Sequence, residues 1–163
     1  MSDLLNPIRK DALISDCGTY RYWLSRSWDD GSRKLAFVML NPSTADASID
    51  DPTIRRCMGF AKRERFGGIL VVNLYALRAT DPSDLLRADD PIGPRNEHWL
   101  REVFVNAGQG NVVCAWGTKG GQQAKWISKS LGGFGCVCLG KTKDGHPRHP
   151  LYVKSDQPFE AFP

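Results

Sequence analysis

No apolar run in these 163 residues approaches the ~20 needed to cross a bilayer. The opening Met1-Ser2-Asp3-Leu4-Leu5-Asn6 has no basic region and no apolar core of signal-peptide length. The expectation is a cytoplasmic protein with no membrane partner. No Gly-x-Ser-x-Gly follows an apolar run, which argues against a nucleophile-elbow hydrolase. A phosphate-binding loop and a glycine-rich dinucleotide fingerprint are also missing, which argues against ATPase and dehydrogenase chemistry and implies no cofactor. Internal repeats and low-complexity tracts are absent as well. Histidine is scarce, at three residues, and the five cysteines are an odd number. Cys114 and Cys138 sit in apolar runs, the usual place for free buried thiols. Cys136-Val137-Cys138 lacks both the two-residue spacing and the second ligand pair of a zinc site, so no metal is expected. Cys57 has no local partner for acyl transfer.

What is present suits one globular domain, 1–163, with 41% hydrophobic and 25% charged residues. The net charge of +4 is modestly basic. Arg55, Arg56, Lys62, Arg63 and Arg65 gather around one predicted helix, as either a solvated face or an anion contact.

Residues 35–40 are continuously apolar, as in a strand buried on both faces, and the run stops at Asn41-Pro42. A polar, acidic loop follows: Ser43, Thr44, Asp46, Ser48, Asp50 and Asp51. Asp51-Pro52 then reads as a capping residue with proline at the first helical position. The helix runs to about 66, with Gly67-Gly68 ending it, and 69–75 is a second buried strand. Strand, helix, strand with tight connections predicts a parallel pair. Ahead of these, 1–18 reads as irregular. The aromatic stretch 19–28 and the turn 29–32 suggest a hairpin at a sheet edge.

Further on, a short capped helix at 79–86, helices at 94–107 and 119–131, and strands at 111–116 and 134–139 complete the pattern. The tail, 140–163, is loop-like, with a short strand possible at 151–153. The fold class expected is α/β, a single three-layer α/β/α domain with a mainly parallel sheet.

In such a sheet the carboxyl ends of the strands share one edge, where ligands bind. Asn41 and Asn73 both end core strands there. Each is either a loop-satisfying residue or an amide able to read a nucleobase edge. Trp116-Gly117 ends the third core strand. His146-Pro147 and His149-Pro150 lie in a stiff late loop that either presents a side chain to a ligand, faces solvent, or holds a metal, the last lacking other ligands. Asp46 or Asp51 could activate water, or either could cap the following helix.

The segments 38–46, 71–82, 112–117 and 143–152, in that order, resemble a bacterial and phage family catalogued only as a domain of unknown function, number sixteen forty-three in that series. More distantly, the same order is similar to the uracil-DNA glycosylase superfamily. Asn41-Pro42-Ser43 resembles the Asn-Pro-Gly corner whose asparagine positions the attacking water. Asn73 resembles the uracil-contacting asparagine, Ala115-Trp116-Gly117 the Leu-Gly strand end, and His146-Pro147-Arg148-His149-Pro150-Leu151 the His-Pro-Ser-Pro-Leu loop.

The resemblance implies a glycosylase-like fold and a nucleobase-recognising N-glycosylase acting on a base–sugar bond in DNA. Asn41, Asp46 and His149 would be catalytic. Pro42, Ser43, Thr44, Asp51, Asn73, Arg78, Trp116, Gly117 and His146 would bind substrate, and Arg55 and Arg56 the nucleic-acid backbone. The partner is then DNA or a nucleobase-containing small molecule. Two alternatives stay open: an enzyme acting on a free nucleoside or nucleotide, and a non-catalytic nucleic-acid-binding or regulatory protein.

Overall fold

The computed structural model describes residues 7–43 and 47–163. The apolar run after residue 34 becomes β3 (Lys34–Met39), whose residues are buried from Leu35 onward. β4 (Gly68–Asn73) pairs parallel along its whole length, from Lys34 opposite Gly68 to Met39 opposite Asn73. The crossover between them is α1 (Pro52–Arg63). Its start follows the expected chemistry, with Asp51 accepting the Ile54 amide at 2.8 Å and proline opening the helix. Its buried side is Ile54, Cys57, Met58 and Ala61, at helical spacing.

The helix ends three residues earlier than 66, because Arg65 takes a left-handed φ of 63° and turns the chain. Gly67 does not stop the helix. A Cβ there would lie 2.3 Å from the Asp29 carbonyl oxygen, so glycine lets two backbones meet.

The remaining elements are β1 (Arg9–Ile14), β2 (Arg21–Ser27), α2 (Asn96–Ala107), β5 (Val112–Cys114), α3 (Gly121–Leu131), β6 (Cys136–Cys138) and β7 (Glu160–Phe162). Pro82–Leu86 is a 3-10 turn capped by Asp81, in place of the short helix expected at 79–86. The seven strands form one sheet in the order β1-β2-β4-β3-β5-β6-β7.

Four central strands, β4, β3, β5 and β6, are parallel to one another. The β1/β2, β2/β4 and β6/β7 pairings are antiparallel. The sheet is therefore mixed, and the expectation of a mainly parallel one is corrected. Nor do β2 and β3 form an edge hairpin. β4 lies between them, and the turn after β2 docks on Gly67, whose carbonyl accepts the Trp28 and Asp29 amides at 2.9 Å.

Residues 9–14, expected irregular, supply the β1 edge. The strand expected at 151–153 is a 3-10 turn, Pro150–Tyr152. α1 packs on one face of the sheet with Leu35, Phe37 and Val71, while Leu100, Phe104 and Ile127 of α2 and α3 pack on the other with Val38 and Val72. Among the described residues no helix is long and apolar enough to cross a membrane.

Candidate functional site

The first crossover leaves β3 toward β4 and the next leaves β4 for β5, on the opposite side of β3. That reversal is the switch point at which open α/β sheets form a crevice. A cavity of about 600 Å³ opens there, lined by Leu40, Asn41 and Ser43 after β3, Asn73 at the end of β4, and Trp116 and Gly117 after β5. Its size is typical of a small-molecule site. Thr142, Arg148 and His149 of the late loop close it, and Arg21 enters from β2. β2 runs antiparallel to β4, so its first residues reach the edge where β4 ends.

The two strand-end asparagines are used differently. The Asn41 Nδ2 donates to the carbonyls of Ala79 (2.9 Å) and Pro42 (3.0 Å). Both partners can only accept, so the amide orientation is chemically fixed and the Oδ1 remains for a ligand or water. Asn73 is 1% exposed, and its Nδ2 has no hydrogen-bond partner among the described residues. A buried orphan donor costs about 1–3 kcal/mol. The strand end that carries it is braced from the helix side. Asn96 Nδ2 donates to the carbonyls of Asn73 (2.9 Å) and Leu74 (3.0 Å), and Gln123 Nε2 donates to that of Leu74 at 3.2 Å.

Asp51 serves both helix and cavity. Besides capping α1, it accepts the Ser43 hydroxyl at 3.1 Å. The His149 Nδ1 accepts the Leu151 amide at 3.2 Å, so the neutral ring carries its proton on Nε2. Burial lowers the His149 pKa below the ordinary value, with the Asp51 charge opposing, which keeps the ring neutral at pH 7. Arg21 is 4% exposed. Burial pulls its pKa down to about 10; Asp51 opposes this, and Arg78 and Arg26 add to it. It remains charged. Trp116 is held edge-to-face by Phe162 of β7, with 5.6 Å between ring centroids, so the last strand fixes one wall.

Of the residues expected at a site, Asn41, Ser43, Asp51, Asn73, Trp116, Gly117 and His149 share this cavity. Thr44 and Asp46 lie outside the described residues. Pro42 does not line the cavity, but its carbonyl receives the Asn41 side chain and the Ala79 amide. His146 lies off it, in a turn whose carbonyl accepts the Thr142 amide at 2.8 Å. Arg78 is also off it, donating to the Gly18 carbonyl at 3.0 Å.

The two arginines expected on a nucleic-acid backbone point elsewhere. Arg55 donates to the Asp50 carbonyl at 2.6 Å. Arg56 donates from Nε to Pro150 O at 3.1 Å and from Nη2 to Val153 O. Arg63 likewise donates to the carbonyls of Ser155 (3.0 Å) and Gln157 (2.7 Å). Arg56 and Arg63 of the basic cluster thus clamp the tail that carries His149. Cys57 is fully buried, and burial pushes its thiol well up, away from nucleophilic use.

The acidic loop divides in the same way. Asp50 faces the sheet, accepting Arg26 Nε at 2.6 Å and Lys10 Nζ at 3.1 Å. It neutralises a buried arginine and is not on the cavity. Arg21, Lys119, Thr142 and Arg148 also line the cavity, although none is among the candidate site residues read from the sequence. Arg21 required the register of β2. Lys119 sits in Trp116-Gly-Thr-Lys-Gly-Gly121, a glycine-rich strand-to-helix connection that could have flagged it.

Residues 21–151 match a family model described as "Protein of unknown function (DUF1643)". No curated protein matches. Among solved structures, the S954A mutant of the feruloyl esterase module from Clostridium thermocellum, complexed with sinapinate, aligns at 10% identity with a TM-score of 0.35, over 75% of this chain and 48% of that one. This chain thus spans about half the length of that module, and so faint a likeness carries nothing about fold or chemistry.

Proposed function

The chain belongs to the DUF1643 family of proteins of unknown function, and we propose that it is a nucleobase-recognising, N-glycosylase-like enzyme that hydrolyses a base–sugar bond. The observation that carries this reading is the buried, unpartnered Asn73 Nδ2 on the wall of a cavity shared with Asn41 and His149. A fixed donor held out of water at an energetic cost is what a pocket needs to read a ligand carbonyl. Further support comes from the order of the four strand-end loops in the sequence, which resembles that of the uracil-DNA glycosylase superfamily.

In the proposed reaction the Asn41 Oδ1 accepts a hydrogen bond from water and holds it against the anomeric carbon of the sugar. The carbon–nitrogen bond breaks with its electron pair going to the base. The water oxygen bonds to the carbon, and the proton it releases neutralises the departing base. Asn73 Nδ2 and the His149 Nε2–H donate to oxygens of the base as negative charge gathers there. Asp51 supplies a negative charge beside the developing oxocarbenium ion.

The test is base release, read by chromatography, from oligonucleotides carrying uracil, mismatched or modified bases, and from free nucleosides and nucleotides. The wild type is expected to release one class of base, and Asn41→Ala to lose about 10²–10⁴-fold in rate. Absence of release from every substrate would overturn the reading. A second form of it, the same chemistry on a free nucleoside or nucleotide, is favoured by one observation. Arg55 and Arg56, the expected DNA-backbone contacts, are occupied by the protein's own carbonyls.

A further inference from the structure

Besides the asparagines, two loops contribute cations to the cavity lining. Lys119 and Thr118 follow β5, and Arg148 and Thr142 belong to the late loop. The loops are stitched together, with the Gly117 amide donating to the Pro147 carbonyl at 2.9 Å and the Arg148 amide to the Gly140 carbonyl at 3.0 Å. Arg148 Nε donates to the Lys141 carbonyl at 3.2 Å, which fixes the guanidinium by one edge. Neither Lys119 nor Arg148 forms an ion pair among the described residues. The carboxylate within electrostatic reach of Lys119 is Asp81, whose side chain is engaged by the Ser83 amide at 2.9 Å. α3 begins two residues after Lys119 with no side-chain cap, so its positive end lies behind this rim.

We infer that this rim is a phosphate subsite, and that the ligand of the cavity is a nucleoside monophosphate, with its base at Asn73 and its phosphate between Lys119 and Arg148. The inference rests on the base-binding reading of the cavity and adds the form of the substrate. Two unpaired cations and two hydroxyls on the rim of a cavity of about 600 Å³ suit one phosphate. A protein that tracks duplex DNA neutralises several phosphates, typically by 6–10 contacts. Here α1, the most basic element beside the cavity, directs Arg56 and Arg63 onto its own tail. On the cavity rim, Lys119 and Arg148 together form one anion-sized focus.

Isothermal titration of the intact protein tests this with five probes: the deoxynucleosides, their 5′-monophosphates, inorganic phosphate, and a twelve-nucleotide oligonucleotide in single- and double-stranded form. The expected result is a monophosphate binding at least tenfold tighter than its nucleoside. In the Lys119→Ala/Arg148→Ala double variant that ratio should fall to about one. Both positions are exposed, and a thermal melt checks that the variant is folded.

Equal affinity for nucleoside and monophosphate in the wild type would overturn the phosphate subsite. With nucleoside binding still lost in Asn73→Ala, that result would leave the base-binding reading standing. Oligonucleotides binding tighter than the monophosphate, with the same two cations responsible, would overturn the inference in favour of nucleic acid. Monophosphates that bind through Lys119 and Arg148 regardless of base, with no base released, would uphold the phosphate subsite and overturn the glycosylase reading. No binding by any probe would overturn both.

Discussion

Removing the Asp50 charge should unfold the protein more easily than any surface change, because of what it strands. Arg26 is fully buried on β2. Its Nη1 donates to the Ser25 carbonyl, its Nη2 has no hydrogen-bond partner among the described residues, and its charge is balanced by Asp50 through the 2.6 Å contact with Nε. Breaking a buried pair from one side costs about 3–5 kcal/mol. The Asp50 side chain keeps 18% exposure, so about 3 kcal/mol is expected for Asp50→Asn, which preserves shape and removes charge. For a chain of this length that lowers Tm by roughly 6–12 °C. Lys10→Ala, which removes the outer partner of the same carboxylate, should cost less than about 1 kcal/mol. Adding Arg26→Met to Asp50→Asn should recover most of the loss, since an apolar replacement of a buried pair is often neutral.

The pH dependence follows in sign. Burial raises the Asp50 pKa, but the hydrogen bonds and charges of Arg26 and Lys10 outweigh it, and the net shift is downward. A carboxyl held below its unfolded value stabilises the fold above about pH 4 and loses that stabilisation as pH falls through the folded value. Denaturant melts from pH 6 to pH 2 should therefore show a steeper acid loss in wild type than in Asp50→Asn. A Tm for Asp50→Asn within 1–2 °C of wild type, roughly 0.5 kcal/mol, would refute the reasoning.

Asn73→Leu should leave Tm unchanged or raise it, since it deletes an orphaned buried donor, while base binding falls more than tenfold; a large destabilisation would show the donor to be structural. Arg56→Ala should cost about 1.5–3 kcal/mol in urea melts, the range for a charged donor on carbonyls. It should also reduce ligand affinity, because Pro150 follows His149 directly, and Arg56→Lys should recover only part, having no fork to span two carbonyls. For His149 the folded pKa lies below the unfolded one, so stability is highest above about pH 6.5 and falls as pH drops through that value toward the folded pKa. His149→Gln should flatten the melt profile between pH 7 and pH 5, and an unchanged slope would remove the histidine from that account.

The parts of the fold legible in the sequence are those where one local rule decides. The apolar run ending at Asn41-Pro42, the Asp51-Pro52 helix start and the parallel β3/β4 pair all appear where expected. The inner position of β2 is hidden, because Arg21, Ser25, Arg26 and Ser27 are polar yet all buried. Their charges and hydroxyls are absorbed by long-range partners such as Asp50, which no periodicity reveals. β1 shows no buried residue along its edge and β7 is three residues long, so neither carries a hydrophobic signal. The contacts of Arg56 and Arg63 are illegible for a related reason, since their acceptors are backbone carbonyls more than ninety residues away in the chain. Of the candidate site, the strand-end loops were legible as motifs, whereas Arg21, Lys119 and Arg148 depend on tertiary placement.

The asparagines at 41 and 73 looked equivalent as strand terminators, and the fold separates them by hydrogen-bond polarity. Asn41 has its donors occupied and offers an acceptor, whereas Asn73 has its donor unoccupied. The tautomer of His149 adds a second donor, Nε2–H, because Nδ1 is held by Leu151. A cavity with two donors on the base side and one acceptor at the corner is matched by a base edge carrying oxygens and by a water that can donate. An exocyclic amine placed against Asn73 would set donor against donor and leave both buried and unpaired, a mismatch that sites of this kind reject strongly. Within the base panel of the release assay, discrimination should thus follow the edge, oxo over amino, ahead of ring size. In the proposed reaction, Asp51, held beside Ser43 at the start of α1, would serve the sugar while Asn73 and His149 serve the base.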